Sequence, residues 1–343
     1  MTDIKGYRWS MIIMTAYNAV FFGVRIISAS GGSGGYILSA LCTVAALIVY
    51  PLLLLLVPEG RMLRGAPLGA VLGGVLALCA LVSASAASAY TARLIGDVFM
   101  KRSPFPYLLT LTALPAFVGT YFGFKAVSRY AYIGGHLIFF AAAVILMLSF
   151  EEYDMDNLYP IFGSISVKDL LIFPAVFAPT VYLTAISAAG GRGNISAECA
   201  KTVLVCGAAM TAICLVYNLT VPREALTLFE NPLLVTASVI NFDFVFERCE
   251  ALVMIIWLFL SYLNICALSN MAADILAKSF ALSCRNAAVG AVFGIIFAAA
   301  LIADRLGMAG DFFAVSAIFG GAVSIALPVC AAVFSGRRGH EKN

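Results

Sequence analysis

Residues 170–180 read Leu170-Leu171-Ile172-Phe173-Pro174-Ala175-Val176-Phe177-Ala178-Pro179-Thr180. The run is apolar enough to enter a membrane, yet its two prolines remove two backbone donors and clash with the preceding helical turn. A regular helix is not expected through it. Thr180 and Tyr182 place hydroxyls just beyond the second proline. Two readings stay open for this segment taken alone: a helix interrupted to hold a small polar ligand, or a proline-kinked helix with no ligand role.

The rest of the chain supplies the context. Apolar stretches of membrane-spanning length recur about ten times, at 9–28, 35–57, 68–94, 105–122, 130–149, 170–189, 201–219, 249–271, 287–303 and 312–334. Charge is almost confined to the segments between them. With 62% hydrophobic residues, 11% charged and a mean hydropathy of +1.00, the composition cannot cover a soluble exterior. About 20 apolar helical residues cross the hydrocarbon core, where no water meets an unpaired backbone group. The expected fold is therefore all-α integral membrane, with about 10 transmembrane helices. No linker or composition break divides the 343 residues, so one polytopic domain over 1–343 is expected. Lys5 and Arg8 precede the first apolar run, and Ala29-Ser30-Gly31 is a weak cleavage site. That run reads as a first span rather than a signal peptide.

Basic residues in the connections set the orientation. Placing both termini in the cytoplasm puts 13 Lys and Arg inside and 6 outside, with Arg25 and Arg93 near or within spans. The outer segments are conversely acidic, notably Glu151, Glu152, Asp154 and Asp156. That run reads as a solvated loop.

Ten spans with both ends inside can form two five-helix halves, which would then enter the membrane from opposite sides. This is the five-plus-five inverted-repeat (LeuT-like) transporter plan, in which the first helix of each half is interrupted and its freed backbone groups bind ligand. Span six, with its prolines, fits that role. Span one is its counterpart and carries Tyr17, Asn18 and Gly23 but no proline. The expected pocket lies between them, lined by Tyr17, Asn18, Phe22, Gly23, Pro179, Thr180 and Tyr182, with Ser85 from span three and Tyr262 from span eight. Freed backbone groups would hold a carboxylate and an ammonium, and the aromatic rings would bound the side-chain volume.

Other features read as structural. Ala80, Ala84 and Ser88 form a small-residue stripe suited to close helix packing, although Ser85 or Ser88 could face a cavity. Five cysteines within spans (Cys42, Cys79, Cys206, Cys214, Cys330) lack metal or redox spacing and read as packing residues. Arg25 sits at the outer end of span one, where it can snorkel. Arg93 and Asp97, four apart, could pair. His136 in span five reads as a hydrogen-bonded structural histidine, with a proton relay as the sharper alternative. No acid stands clearly within a span, which counts against a proton pump. The Gly31-Gly32-Ser33-Gly34-Gly35 run reads as a flexible outer turn. No phosphate loop, HExxH or paired-histidine motif is present, so no enzyme, metal, cofactor or nucleic-acid role is expected.

At the start of span eight, Glu247, Arg248 and Glu250 crowd an apolar helix. Acids there complement the helix dipole, and isolated buried charge is costly. An interfacial cap with an Arg–Glu pair and a gate or docking site both remain open. The segment Phe246-Glu247-Arg248-Cys249-Glu250-Ala251-Leu252, followed by Trp257, resembles a motif of the B subunits of bacterial spore germinant receptors. These are permease-like members of the amino acid–polyamine–cation transporter superfamily. Asn231-Pro232-Leu233-Leu234 fits the loop upstream of that motif. The glycine turn ending at Tyr36, the Pro104/Pro106 segment and Gly123-Phe124-Lys125-Ala126-Val127-Ser128-Arg129-Tyr130-Ala131 resemble further family elements. Span order and length fit as well. Departures are Lys125 in place of an acid, and no first-span proline or Asp-x-Trp turn.

The resemblance implies a sensor rather than a bulk carrier. The subunit would bind a small germinant, commonly an amino acid, and signal to partner A and C subunits in the spore inner membrane by shifting between two states. An amino acid or cation transporter is the alternative.

Overall fold

A backbone in hydrocarbon must satisfy its own polar groups, and this chain does so with helices. The computed structural model describes residues 4–55, 67–161, 165–182, 194–222, 225–226, 232–239, 249–279 and 284–340, and no strand occurs among them. The helices are α1 (Ile4–Asn18), α2 (Val24–Gly31), α3 (Gly35–Leu55), α4 (Pro67–Val98), α5 (Phe105–Tyr121) and α6 (Phe124–Leu148). They are followed by the single turn α7 (Phe173–Val176), α8 (Ile195–Thr220), α9 (Pro232–Val239), α10 (Cys249–Ser279), α11 (Arg285–Arg305) and α12 (Ala309–His340). Among the described residues, seven helical stretches are long and apolar enough to cross a membrane. The protein is a multi-pass membrane protein.

The first of those stretches, Arg8–Leu55, is 48 residues long. Straight, it would reach about 70 Å, more than twice the hydrocarbon thickness. Instead it folds back at Gly32, whose φ of 52° suits glycine, and α2 packs against α3. The glycine run expected as a flexible turn is built in. Ser33 and Gly34 are buried, and Asn218 of α8 donates to the carbonyls of Gly32 (3.2 Å) and Ser33 (2.9 Å).

Helices outrun the apolar stretches read from sequence: α8 starts at Ile195 rather than 201, and α10 runs to Ser279 rather than 271. Helical hydrogen bonding continues past the point where side chains turn polar. One consequence is that Asp274 lies on a spanning helix, where no acid was expected; it pairs with Arg285 at 2.8 Å. Arg285 also donates to Asn270 Oδ1 (2.5 Å) and the Thr120 carbonyl (3.4 Å), tying α10 and α5 to α11. Pro232–Val239, expected as a loop, is a short helix on α8 and α10. Proline is tolerated at its first position because the N–H there has no intrahelical acceptor.

α4 runs through the centre of the protein, against α5, α10, α11 and α12. Ala80, Ala84 and Ser88 are fully buried, as packing requires, and the Ser85 and Ser88 hydroxyls donate to their own helix at Leu81 and Ala84. α3 lies along α8, while α1 contacts α6, α8 and α10. Cys42, Cys79, Cys206 and Cys214 are buried, whereas Cys330 is exposed. Arg93 pairs with Asp304 of α11 at 3.2 Å, a partner from outside its own helix in place of the expected Asp97. His136 Nδ1 lies 2.7 Å from the Tyr132 carbonyl oxygen, and its ring stacks at a tilt on Trp9.

Candidate functional site

Span one is not a uniform helix. After Asn18 the chain widens into a π-helical turn over Ala19–Gly23 before α2 resumes. Such turns displace the regular hydrogen-bond ladder and are frequent at functional sites. Span six is broken more severely. From Val167 it passes through a 3-10 stretch, α7 and a second 3-10 turn at Ala178–Thr180.

The two breaks are joined by one amide. In a regular helix the Ala175 carbonyl would accept from residue 179, but Pro179 has no N–H. The Thr180 N–H, which would serve Val176, donates instead to Phe177 at 3.0 Å. Asn18 fills both vacancies, its Nδ2 donating to the Ala175 (2.6 Å) and Val176 (3.0 Å) carbonyls. Gly23 allows the approach: a Cβ there would lie 2.7 Å from Met210 Sδ and 3.0 Å from Val176 Cγ1. From the other side, a Cβ on Gly321 would sit 2.6 Å from backbone atoms of Pro174 and Ala175. Tyr50 of α3 reaches the same segment, its hydroxyl bonded to Ser324 (2.8 Å) and the Pro174 carbonyl (3.3 Å).

Beside this junction is a small cleft. Tyr17, Asn18, Pro179 and Tyr182 line it, as expected from sequence. Ser83 of α4, Asn264 of α10 and the α12 residues Phe313, Ser316 and Gly320 complete much of the wall. Among the described residues, none that lines it is charged. Tyr182 lies beside Ser83. The Tyr17 hydroxyl lies beside those of Thr91 and Ser261. All three are buried, and none reaches hydrogen-bonding geometry with a partner among the described residues.

The remaining expected residues fall outside the lining. Ser85 is turned back on its own helix. The Thr180 hydroxyl donates to the Phe177 carbonyl at 2.7 Å. Tyr262 faces α5, where a Cβ on Gly119 would meet its hydroxyl. Phe22 packs edge-on behind Phe313. Phe313 is the hub of this wall, stacked on Tyr90 at 5.0 Å and edge-on to Tyr17 at 5.7 Å. On α4 and α10 the lining residue is two positions from the expected one, Ser83 for Ser85 and Asn264 for Tyr262. Two positions turn a helix by about 200°, to its other face. Glu247 and Arg248 lie outside the described residues, and Glu250 stands in the first turn of α10.

Away from the cleft, Arg8 and Glu198 form a bidentate pair, with Nη2 to Oε1 at 2.6 Å and Nε against Oε2. Lys201 joins at 3.3 Å. This pair ties the N-terminal end of α1 to the start of α8.

A family model described as a spore germination protein, the spore permease family, matches residues 11–306. No curated protein matches the chain.

Proposed function

This chain belongs to the spore germination protein family, and from that premise we propose that it is the permease-like B subunit of a germinant receptor. It binds a small germinant, an amino acid, in the cleft between spans one and six. It then signals to A and C subunits in the spore inner membrane. Residues 1–343 act as a single membrane domain with both termini in the cytoplasm. The basic bias of 13 to 6 and an even number of crossings support that orientation.

Ten crossings follow if Arg8–Leu55 counts twice, and if α5 and the broken span six are added to the seven apolar stretches. A five-plus-five inverted repeat is supported by how the helices pair. The α4–α5 contact is matched by α10–α11, α4–α12 by α10–α6, and α1–α6 by α7–α12. Corresponding helices also meet across the halves, as α3–α8, α4–α10 and α5–α11. A two-fold axis relating the two halves would produce this pattern.

The observation that carries ligand binding is the cluster of buried hydroxyls at Tyr17, Thr91 and Ser261, none in hydrogen-bonding geometry among the described residues, where Tyr17 lines the cleft. Each buried polar group left unpaired costs about 1–3 kcal/mol, so a polar guest that reaches them is stabilised. An uncharged wall suits a zwitterion, whose opposite charges need dipoles more than a counter-ion.

Germination of spores carrying Tyr17→Phe, measured against a panel of amino acids, tests the reading. The half-maximal concentration of the cognate amino acid should rise from a few-fold to about tenfold at unchanged protein level, the loss of one hydrogen bond. Normal germination of spores lacking the protein, together with amino-acid uptake by the chain alone in vesicles, would make it a transporter instead.

A further inference from the structure

A second cavity lies on another face of span one, enclosed by Ala16, Val20 and Phe21 together with α6, α8 and α10. It is roomier than the polar cleft. Among the described residues, every lining side chain is hydrocarbon except Trp257. That indole is 1% exposed, and its Nε1–H finds no hydrogen-bond partner among the described residues.

Water does not suit this space. A stably buried water makes about three hydrogen bonds, and the side chains here offer one donor. Leaving it empty forfeits dispersion contacts along the whole wall. The surroundings supply a third occupant. Val20, Phe139, Ala142, Leu146, Ala209 and Ile256 are only half-buried, so the cavity wall is reached from outside the bundle. On the same helices Leu137, Phe140, Leu204 and Ile255 are exposed, facing hydrocarbon in a spanning helix. α6 and α8 touch only slightly, which leaves a gap between them.

We infer that an acyl chain of a bilayer phospholipid enters between α6 and α8 and seats in this cavity against Trp257. The occupant then shares span one with the polar cleft: Val20 and Phe21 form its wall, while Tyr17 and Asn18 face the cleft.

The chain has two tryptophans, so Trp9→Phe leaves Trp257 as the reporter. The full-length variant is reconstituted in vesicles of dioleoyl phosphatidylcholine or of its dibrominated form, in which bromine quenches indole emission on contact. Trp257 should lose most of its emission in the brominated lipid despite its burial. Filling the cavity by Ala142→Phe, or from the facing wall by Ala209→Phe, should restore it. The two fillers guard against one failing to fold, which size-exclusion chromatography reports. The Trp257→Phe protein measures any contribution of Trp9. Little quenching of Trp257 would overturn the inference, as would quenching that a folded filler variant leaves unchanged. Quenching by brominated free fatty acid in unbrominated vesicles, with none from brominated phospholipid, would also overturn it.

Discussion

Replacing Asn18 by Ala removes both hydrogen bonds that join the two interrupted spans. Side-chain hydrogen bonds between membrane helices average about 0.6 kcal/mol and reach about 1.7, so two together are worth about 1–3 kcal/mol. The upper end is expected here because neither carbonyl has a substitute donor in its own segment. Pro179 lacks an N–H, and the Thr180 N–H is bonded to Phe177. Unfolding of the purified chain in mixed micelles titrated with dodecyl sulfate should therefore show a loss near 3 kcal/mol, roughly the orphaning of two buried acceptors. Pro179→Ala supplies an N–H for Ala175, so Asn18→Ala should cost about 1 kcal/mol less in that background. Strictly additive single and double variants would refute the argument that proline orphans this carbonyl, as would a loss below about 0.5 kcal/mol for Asn18→Ala.

Ser83→Ala and Asn264→Ala should each raise the half-maximal germinant concentration from a few-fold to about tenfold, while Ser85→Ala and Tyr262→Phe leave it unchanged. The opposite pattern in spore dose curves would move the site to the other face of α4 and α10. Gly321→Val thrusts atoms into the backbone of Pro174 and Ala175 and should abolish the monodisperse species in size-exclusion chromatography. Gly290→Ala, with open space around its Cβ, should match the wild type, and equal profiles for both would count against the close contact. In a cysteine-depleted chain, a membrane-impermeant thiol reagent should label Asp154→Cys and spare Arg338→Cys; reversed labelling would invert the topology. Arg248→Ala should lower protein abundance in spore membranes. Normal abundance with a shifted germinant dose would assign that arginine to the ligand instead.

Hydropathy made the spans legible, since hydrocarbon tolerates little else over such lengths, and Pro174 and Pro179 announced the break in span six. The break in span one had no such herald. A π turn over Ala-Val-Phe-Phe-Gly uses residues common in any membrane helix, and it is recognisable only through the partner that Asn18 finds on span six. Which helix faces form the site was equally hidden. Span three offers Ser83, Ser85 and Ser88 alike, and the rotation of α4 is decided by contacts with four other helices. The share of α12 went unseen because Phe313, Ala317 and Gly320 look like ordinary lipid-span residues. Arg93 was read against its own helix, while its counter-charge, Asp304, comes from a distant part of the chain.

The Gly32 hairpin has a mechanical consequence. Asn218 fastens its backbone to α8, and the Ser33 hydroxyl bonds the Pro160 carbonyl at 2.8 Å. Anchored on both sides, α2, α3 and α8 form one packed block. Any tilt of α1 relative to that block must be absorbed at Ala19–Gly23, a pivot with the Asn18 clasp at its edge and the Arg8–Glu198 pair as a latch at the far end of the lever.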